Sequence, residues 1–351
     1  MKTEIIKILR DDPCENERNL KRAAKIIQDG GLVVFPTETV YGLGADATNA
    51  SAAMRIFDAK GRPSDNPLII HISRPEDAEQ YAYTCELYYK LAKLYMPGPL
   101  TVIMKSRDSV PRKTRGGLDT VAIRCPSNAT ANRLIELSGV PIAAPSANLS
   151  GSPSPTCAEH VIDDMMGRVD MIIDGGECDF GLESTIVKID DENTITLLRP
   201  GKITAEELSL IADLKVADAV TDKLREGEVA LSPGMKYRHY APKAPVVLLD
   251  ADISDVISYI SENTVGRCAV LCYTDEIEEY KQHLSNAVLY EFGNRDDELT
   301  QAHQLFSILR EADKESFEVI YAPLPSKTGI GLALYNRMIR AAAHRIISLR
   351  R

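Results

Sequence analysis

No stretch of the 351-residue sequence approaches the roughly 20 consecutive apolar residues that cross a bilayer, so a membrane-spanning helix is not expected. The opening segment, MKTEIIKILRDDP, turns acidic too early for a signal peptide. Cysteine is neither dense nor patterned. Cys14, Cys85, Cys125, Cys157, Cys178, Cys268 and Cys272 are odd in number and contain no CxxC, which argues against a disulfide framework or a zinc ribbon. Cys268 and Cys272 fall in CAVLCY and read as small residues of a buried strand. A cytoplasmic location fits this usage. Positive charge is in deficit, 41 basic against 51 acidic residues for a net −10, so a globally basic nucleic-acid coat is excluded although a local patch is not. Several catalytic signatures are also missing: the GxxxxGKS/T phosphate loop, HExxH, the GxSxG elbow and the kinase set.

What is present is globular. Apolar residues make up 44% and charged residues 26% of the chain, enough for more than one core, and the length suggests two domains at about 150 residues each. In ENERNLKRAAKIIQDGG, Leu20, Ala23, Ala24 and Ile27 share a helical face that stops at Gly30 and Gly31. LVVFP, PLIIHIS, LTVIMK, TVAIRC, VPIAAPSAN, VDMIIDGG, STIVKID and TITLLRPG read as strands, and NASAAMRIFDAKGR as a helix. Several of these strands follow one another through short turns, which predicts a mixed α+β sheet over 12–205 rather than a doubly wound one. Residues 206–243 read as a connector that begins with a short helix, TAEELSLIADL. From 244 to 351 the strands PVVLLDA, CAVLCY, AVLYEFG and FEVIYAPLP alternate with helices near 252–263, 274–284, 296–312 and 331–349, which predicts a small Rossmann-like parallel sheet.

Polar residues concentrate in four segments beside short strands. PTETVYGLG (36–44) places Thr37 and Thr39 at a strand end, with Gly42 and Gly44 allowing close backbone approach; a plain strand-to-helix turn fits these residues equally. KGRPSDNPL (60–68) sets Lys60 and Arg62 beside Asn66 between two prolines, as cations for a triphosphate or as a solvated loop. APSANLSGSPSPT (144–156) offers Ser146, Asn148 and Ser154 as neutral donors to phosphate or ribose oxygens. Serine nucleophilic catalysis there lacks a paired base other than His160. GLESTIV and LLRPG place Ser184 and Arg199 near strand ends. Between 97 and 126 six cations face two acids, a local excess that suits an anionic ligand, RNA or plain solvated surface. GIGLAL (329–334) is a partial glycine fingerprint at the wrong end of its domain for a dinucleotide.

In order along the chain, PTETVYGLG, KGRPSDNPLIIHI, PGPLT, VAIRCP, APSANLSG, ESTIV, LRPG and SPGMKYRHYAP resemble the YrdC-like threonylcarbamoyl-AMP synthases. GIGLALYNRMIRAA is similar to the signature of the C-terminal domain in the family's longer form, with GIGLA where GLGLA is expected. The resemblance implies an α/β fold: a twisted mixed sheet with a concave cleft, followed by a small parallel domain. It implies a nucleotidyltransferase that converts L-threonine, bicarbonate or CO2, and ATP to threonylcarbamoyl-AMP and pyrophosphate. Mg²⁺ comes with the nucleotide, bridging phosphate oxygens, and no residue is assigned as its ligand. The product serves threonylcarbamoyladenosine modification of ANN-decoding tRNAs through downstream transferase proteins, with at most weak tRNA contact. By the same resemblance Lys60 and Arg62 are catalytic and bind ATP with Asn66, Thr120, Ser146, Asn148, Ser154, Arg199, His239 and Tyr240. Thr39, His71, Arg124, Ala144 (through its backbone) and Ser184 hold threonine. SPGMKYRHYAP, with Pro233, Gly234, Lys236, Tyr237 and Arg238 preceding His239 and Tyr240, reads as a lid over the nucleotide or as packing between the domains. A double-stranded-RNA-binding module and a carbamoyltransferase module are the competing functions.

Overall fold

A computed structural model describes residues 2–222, 231–232 and 239–350. Among them, eleven strands form one mixed sheet in the order Glu4–Lys7, Met171–Asp174, Val33–Phe35, Gly42–Asp46, Ile142–Ala143, Ile69–His71, Thr120–Arg124, Leu100–Lys105, Thr185–Ile189, Thr194–Arg199 and Asp213–Val216. Parallel and antiparallel pairings mix along it, because short turns link some neighbours and helices link others. A second sheet, Ala287–Glu291, Cys268–Cys272, Val319–Pro323, Val246–Asp250 and Ile346–Ser348, is parallel throughout.

Local chemistry explains the first helices. Pro13–Gln28 opens with Asp12 accepting from the Glu15 N–H at 2.8 Å and Pro13 in the first turn, and it buries Leu20, Ala23, Ala24 and Ile27. Ala50–Lys60 is capped by the Asn49 side chain, which accepts from Ser51 and Ala52.

Five places differ from the sequence reading. Glu4–Lys7 pairs with Met171–Asp174, so the sheet starts ahead of residue 12; four residues with one buried side chain give too little period to detect. Gly42–Asp46 is a strand rather than a turn. A Cβ on Gly44 would sit 2.7 Å from Phe35 Cε1, so this glycine serves strand packing instead of ligand approach. The helices Glu86–Tyr95, Ala129–Ser138 and Ala158–Met165 lay in segments without an assignment. Asp213–Val216, inside the stretch read as a connector, is an edge strand paired with Thr194–Arg199. The last helix stops at Ala341: Ala343 and His344 take positive φ, and the chain returns as the strand Ile346–Ser348.

The two sheets share a packed boundary. Val40, Phe180 and Leu182 from the first domain join the apolar cluster of the second, with Phe306, Leu334 and Tyr335. Arg310 donates to the Pro153 carbonyl and to Asp164 Oδ2, both at 2.6 Å. Gly181, at φ +84°, is pressed against the helix Glu298–Ala312: an added Cβ would lie 2.6 Å from His303 Cα. Gly176 has the same φ with open space around it. In both Gly→Ala variants the backbone alone costs about 1–2 kcal/mol. Gly181→Ala also drives a methyl into backbone of the other domain, so its melting temperature should fall by roughly 4 °C or more and clearly below that of Gly176→Ala. Equal midpoints in differential scanning calorimetry would mean that the boundary yields at this point.

Candidate active site

The cleft begins as a row of polar side chains across the first sheet. His71 pairs in register with Arg124, and Arg124 with Thr101, so the three project on one face. All are buried. Thr101 Oγ1 lies 2.8 Å from Ser184 Oγ, and Arg199 donates to Ser184 through Nη2 (3.0 Å to Oγ) and Nε (2.9 Å to the carbonyl). The ends of five strands thus place His71, Arg124, Thr101, Ser184 and Arg199 in one line.

Arg124 and Glu38 are the charged centre of this row. They form a buried ion pair, Arg124 Nη2 to Glu38 Oε1 at 2.8 Å, which leaves the Arg124 Nε buried without a hydrogen-bond partner. Burial pushes the Glu38 carboxyl up, but the Arg124 charge overrides it and holds the group below the usual carboxylate range. Burial, and then the Arg124 charge, press His71 down to about 3, so its ring is neutral near pH 7. Its Nδ1 lies 3.3 Å from the Ile142 carbonyl, which fixes Nδ1 as the protonated nitrogen and leaves Nε2 as an acceptor.

The 144–154 loop forms the opposite wall, and most of its donors turn inward. Ser146 Oγ donates to Asn148 Oδ1 at 2.6 Å, and the Asn148 amide donates to the Leu149 and Ser152 carbonyls. Ser154 Oγ donates to Glu183 Oε1 at 2.5 Å. These hydroxyls therefore face the cleft as acceptors, not as the donors read from the sequence. The Ala144 N–H is bonded to the Ile69 carbonyl, which leaves its own carbonyl as the backbone group on offer.

Lys60 differs most from its expected place. It ends the helix Ala50–Lys60 instead of standing in a loop, is buried, and donates to the Ser146 and Asn148 carbonyls. Burial and the neighbouring Arg62 charge lower its pKa. Lys60 thus pins the loop from beneath, while Arg62 lines the cleft. The cleft is also lined by His71, Arg124, Ala144, Ser146, Asn148, Ser154, Arg199, His239 and Tyr240. Asn66 is buried outside the lining, with Oδ1 lacking a partner. Thr39 is fully buried against Thr37 Oγ1 at 2.9 Å, and Thr37 takes the lining position. Ser184 is not in the lining and reaches it through Arg199. Thr120 starts the strand that Arg124 ends, about 13 Å away at the rise of a β-strand, and does not line the cleft. Arg115 and Arg124 are buried and Arg112 pairs with Asp119, so the cation excess of 97–126 does not form one surface patch.

From the connector, His239 is half-buried with Nε2 buried and unpartnered, and burial with the Arg62 charge lowers it to about 3. Tyr240, at φ +61°, stacks on Phe306 with ring centres 5.2 Å apart, which favours packing between domains for this residue. Pro233, Gly234, Lys236, Tyr237 and Arg238 lie outside the described residues. Sequence reading missed Glu38, Thr101, Glu183 and Arg337. Glu183 sat in a quoted string, one residue before the Ser184 chosen instead. Arg337 carried a usable signal, a charge in a helix where ten of eleven residues are buried.

The depressed histidines set a direction for stability. In the fold His71 and His239 stay neutral down to about 3, whereas unfolded histidine takes a proton near 6.5. Stability is therefore complete above about pH 6.5 and is lost as pH falls, by about 1.4 kcal/mol per pH unit for each fully buried ring. The lowered carboxyls of Glu38 and Glu183 act in the same direction at lower pH. Melting temperature should be level between pH 7 and 8 and decline between pH 6 and 4.5, less steeply in His71→Asn. A midpoint that holds to pH 5 in the unaltered protein would contradict the buried neutral rings.

Comparison with known proteins agrees with both halves of this architecture. The Sua5_yciO_yrdC family model, described as telomere recombination, matches residues 25–201, and that of the threonylcarbamoyl-AMP synthase C-terminal domain matches 203–343. Threonylcarbamoyl-AMP synthase of Pyrococcus abyssi is 43% identical over 95% of this chain and 96% of its own length. That of Bacillus subtilis is 41% identical, covering 96% of each. The crystal structure of P. abyssi Sua5 complexed with L-threonine superposes with a TM-score of 0.88 at 40% identity, covering 100% of both chains. Two family models in sequence order and relatives matched along nearly their whole length lead to one assignment: the chain belongs to the threonylcarbamoyl-AMP synthases, in their two-domain form.

Proposed function

We propose that the cleft takes ATP and L-threonine side by side and joins them through bicarbonate or CO2. The observation that carries this reading is Arg124, a buried guanidinium of the cleft lining that meets Glu38 through Nη2 and whose Nε keeps no hydrogen-bond partner. Such a fork fits a carboxylate, and the related P. abyssi protein is complexed with L-threonine. On this reading Arg124 takes the threonine carboxylate, and His71 Nε2 and the Ala144 carbonyl accept from its amine or hydroxyl. Thr39 and Ser184 act behind them by orienting Thr37 and Arg199. Arg62 and Arg199 face the phosphates. Arg199 is lowered by burial to about 10, which still leaves it charged near pH 7. Ser146, Asn148, Ser154, His239 and Tyr240 border the nucleotide. Lys60 supports that wall, and Asn66 and Thr120 are given no direct contact.

The chemistry needs no covalent enzyme intermediate. The threonine amine adds to CO2 and loses a proton to give a carbamate. A carbamate oxygen then attacks the α-phosphorus of ATP, and pyrophosphate leaves. The residues contribute positioning and charge, and a closed cleft keeps water from the mixed anhydride that results. Mg²⁺ belongs to the nucleotide: Glu183 is already bonded to Arg337 and Ser154, so these side chains fit a metal held by phosphate oxygens and water. When bound it neutralises phosphate charge. The threonylcarbamoyl-AMP then supplies a partner transferase that modifies ANN-decoding tRNAs.

The direct test is pyrophosphate release with ATP, Mg²⁺, bicarbonate and each amino acid in turn. Release should require both threonine and bicarbonate. Serine, one methyl smaller, should be slower by roughly 10- to 100-fold yet still accepted. Equal release without any amino acid would mean simple ATP hydrolysis and would remove this reading.

Arg124→Lys checks the fork. It keeps the charge but loses bidentate geometry, so KM for threonine should rise about tenfold or more while KM for ATP changes little. An unchanged threonine KM would free Arg124 from the role.

A further inference from the structure

Arg337 lies in the last helix, Gly331–Ala341, of the second domain and is fully buried. It is absent from the cleft lining, yet its guanidinium is built into the cleft's support. Nε donates to Glu183 Oε2 at 2.9 Å and Nη2 to the Glu183 carbonyl at 3.2 Å. Nη1 donates to the Pro200 carbonyl at 2.7 Å and to Asn336 Oδ1 at 3.0 Å. Two of these acceptors, the Glu183 and Pro200 carbonyls, directly adjoin Ser184 and Arg199. The other Glu183 oxygen accepts from Ser154 Oγ. Glu183 and Ser154 both line the cleft.

We propose that Arg337 is a positioning residue for the adenylation reaction: through Glu183 it fixes the Ser154 hydroxyl as an acceptor toward the nucleotide. The inference rests on the cleft being the ATP site. Without a held carboxylate, the Ser154 hydroxyl could turn its proton to any acceptor. Glu183 in turn can stay ionised while buried because a guanidinium faces it. Lysine at 337 would supply charge at one point only and could not span the Glu183 side chain, the Glu183 carbonyl and the Pro200 carbonyl together. The ordering of the nucleotide wall therefore comes from the second domain, across 154 residues of sequence.

Domain docking alone would make a different prediction, and a double-mutant cycle separates the two. Arg337→Lys, Ser154→Ala and their combination are compared in the full-length protein by pyrophosphate release, varying ATP at saturating threonine and bicarbonate, then varying threonine. Arg337→Lys should raise KM for ATP on the order of tenfold and KM for threonine by less than about threefold. On the Ser154→Ala background it should raise KM for ATP by less than about twofold, since the group it orients is gone. Fold-changes that multiply independently, or equal rises for both substrates, would overturn the inference. If Arg337→Lys melts below the assay temperature, Glu183→Gln takes its place in the cycle, with coupling and independence read the same way. Absence of threonine-dependent release in the unaltered protein would overturn the ATP-site reading itself, and the inference with it.

Discussion

The structure turns on a buried carboxylate that two domains share. Glu183 leaves the first sheet just before the strand Thr185–Ile189 and meets Arg337 from the last helix, with almost no solvent at either end. Removing one partner of such a pair leaves a bare charge in a low-dielectric interior, at a cost of about 3–5 kcal/mol. Replacing both with apolar residues is often neutral. The pair is therefore better understood through the geometry it enforces than through net stability. The Ser154 hydroxyl, the Arg199 side chain and the seat of Tyr240 are all arranged around it.

Burial and neighbouring charge set the distribution of protons in the cleft. Arginines at 62, 124 and 199 supply permanent charge, and His71 and His239 are held neutral by burial and by those arginines. The cleft lining thus combines fixed cations with uncharged acceptors. That suits a reaction in which the attacking group is already an anion and the departing group is highly charged.

Much of this was legible in the sequence, for identifiable reasons. The apolar strands announced themselves because both faces of the sheet are covered, and the ordered polar strings marked the loops that border the cleft. Roles were harder to read than places. Lys60 and Arg62 look alike in KGRPSDNPL, but the end of the Ala50–Lys60 helix separates them, directing one beneath the loop and the other into the cleft. Hydroxyls that look like donors in a string become acceptors once a neighbouring carboxylate or amide oxygen takes their proton, as in Ser154 and Ser146. Gly44 looked like room for a ligand and proved to be room for Phe35. The most distant information was the least visible: nothing near Glu183 in the chain shows that its counter-charge arrives from the last helix.

That separation also has a meaning in time. Synthesis proceeds at about 5–20 residues per second, and domains generally fold as they emerge. The last strand of the first sheet ends at Val216, so the chain from there to Arg337 takes on the order of 6–24 seconds in which that sheet can exist with its carboxylate unanswered. Arrival of the helix Gly331–Ala341 then supplies the guanidinium that answers Glu183.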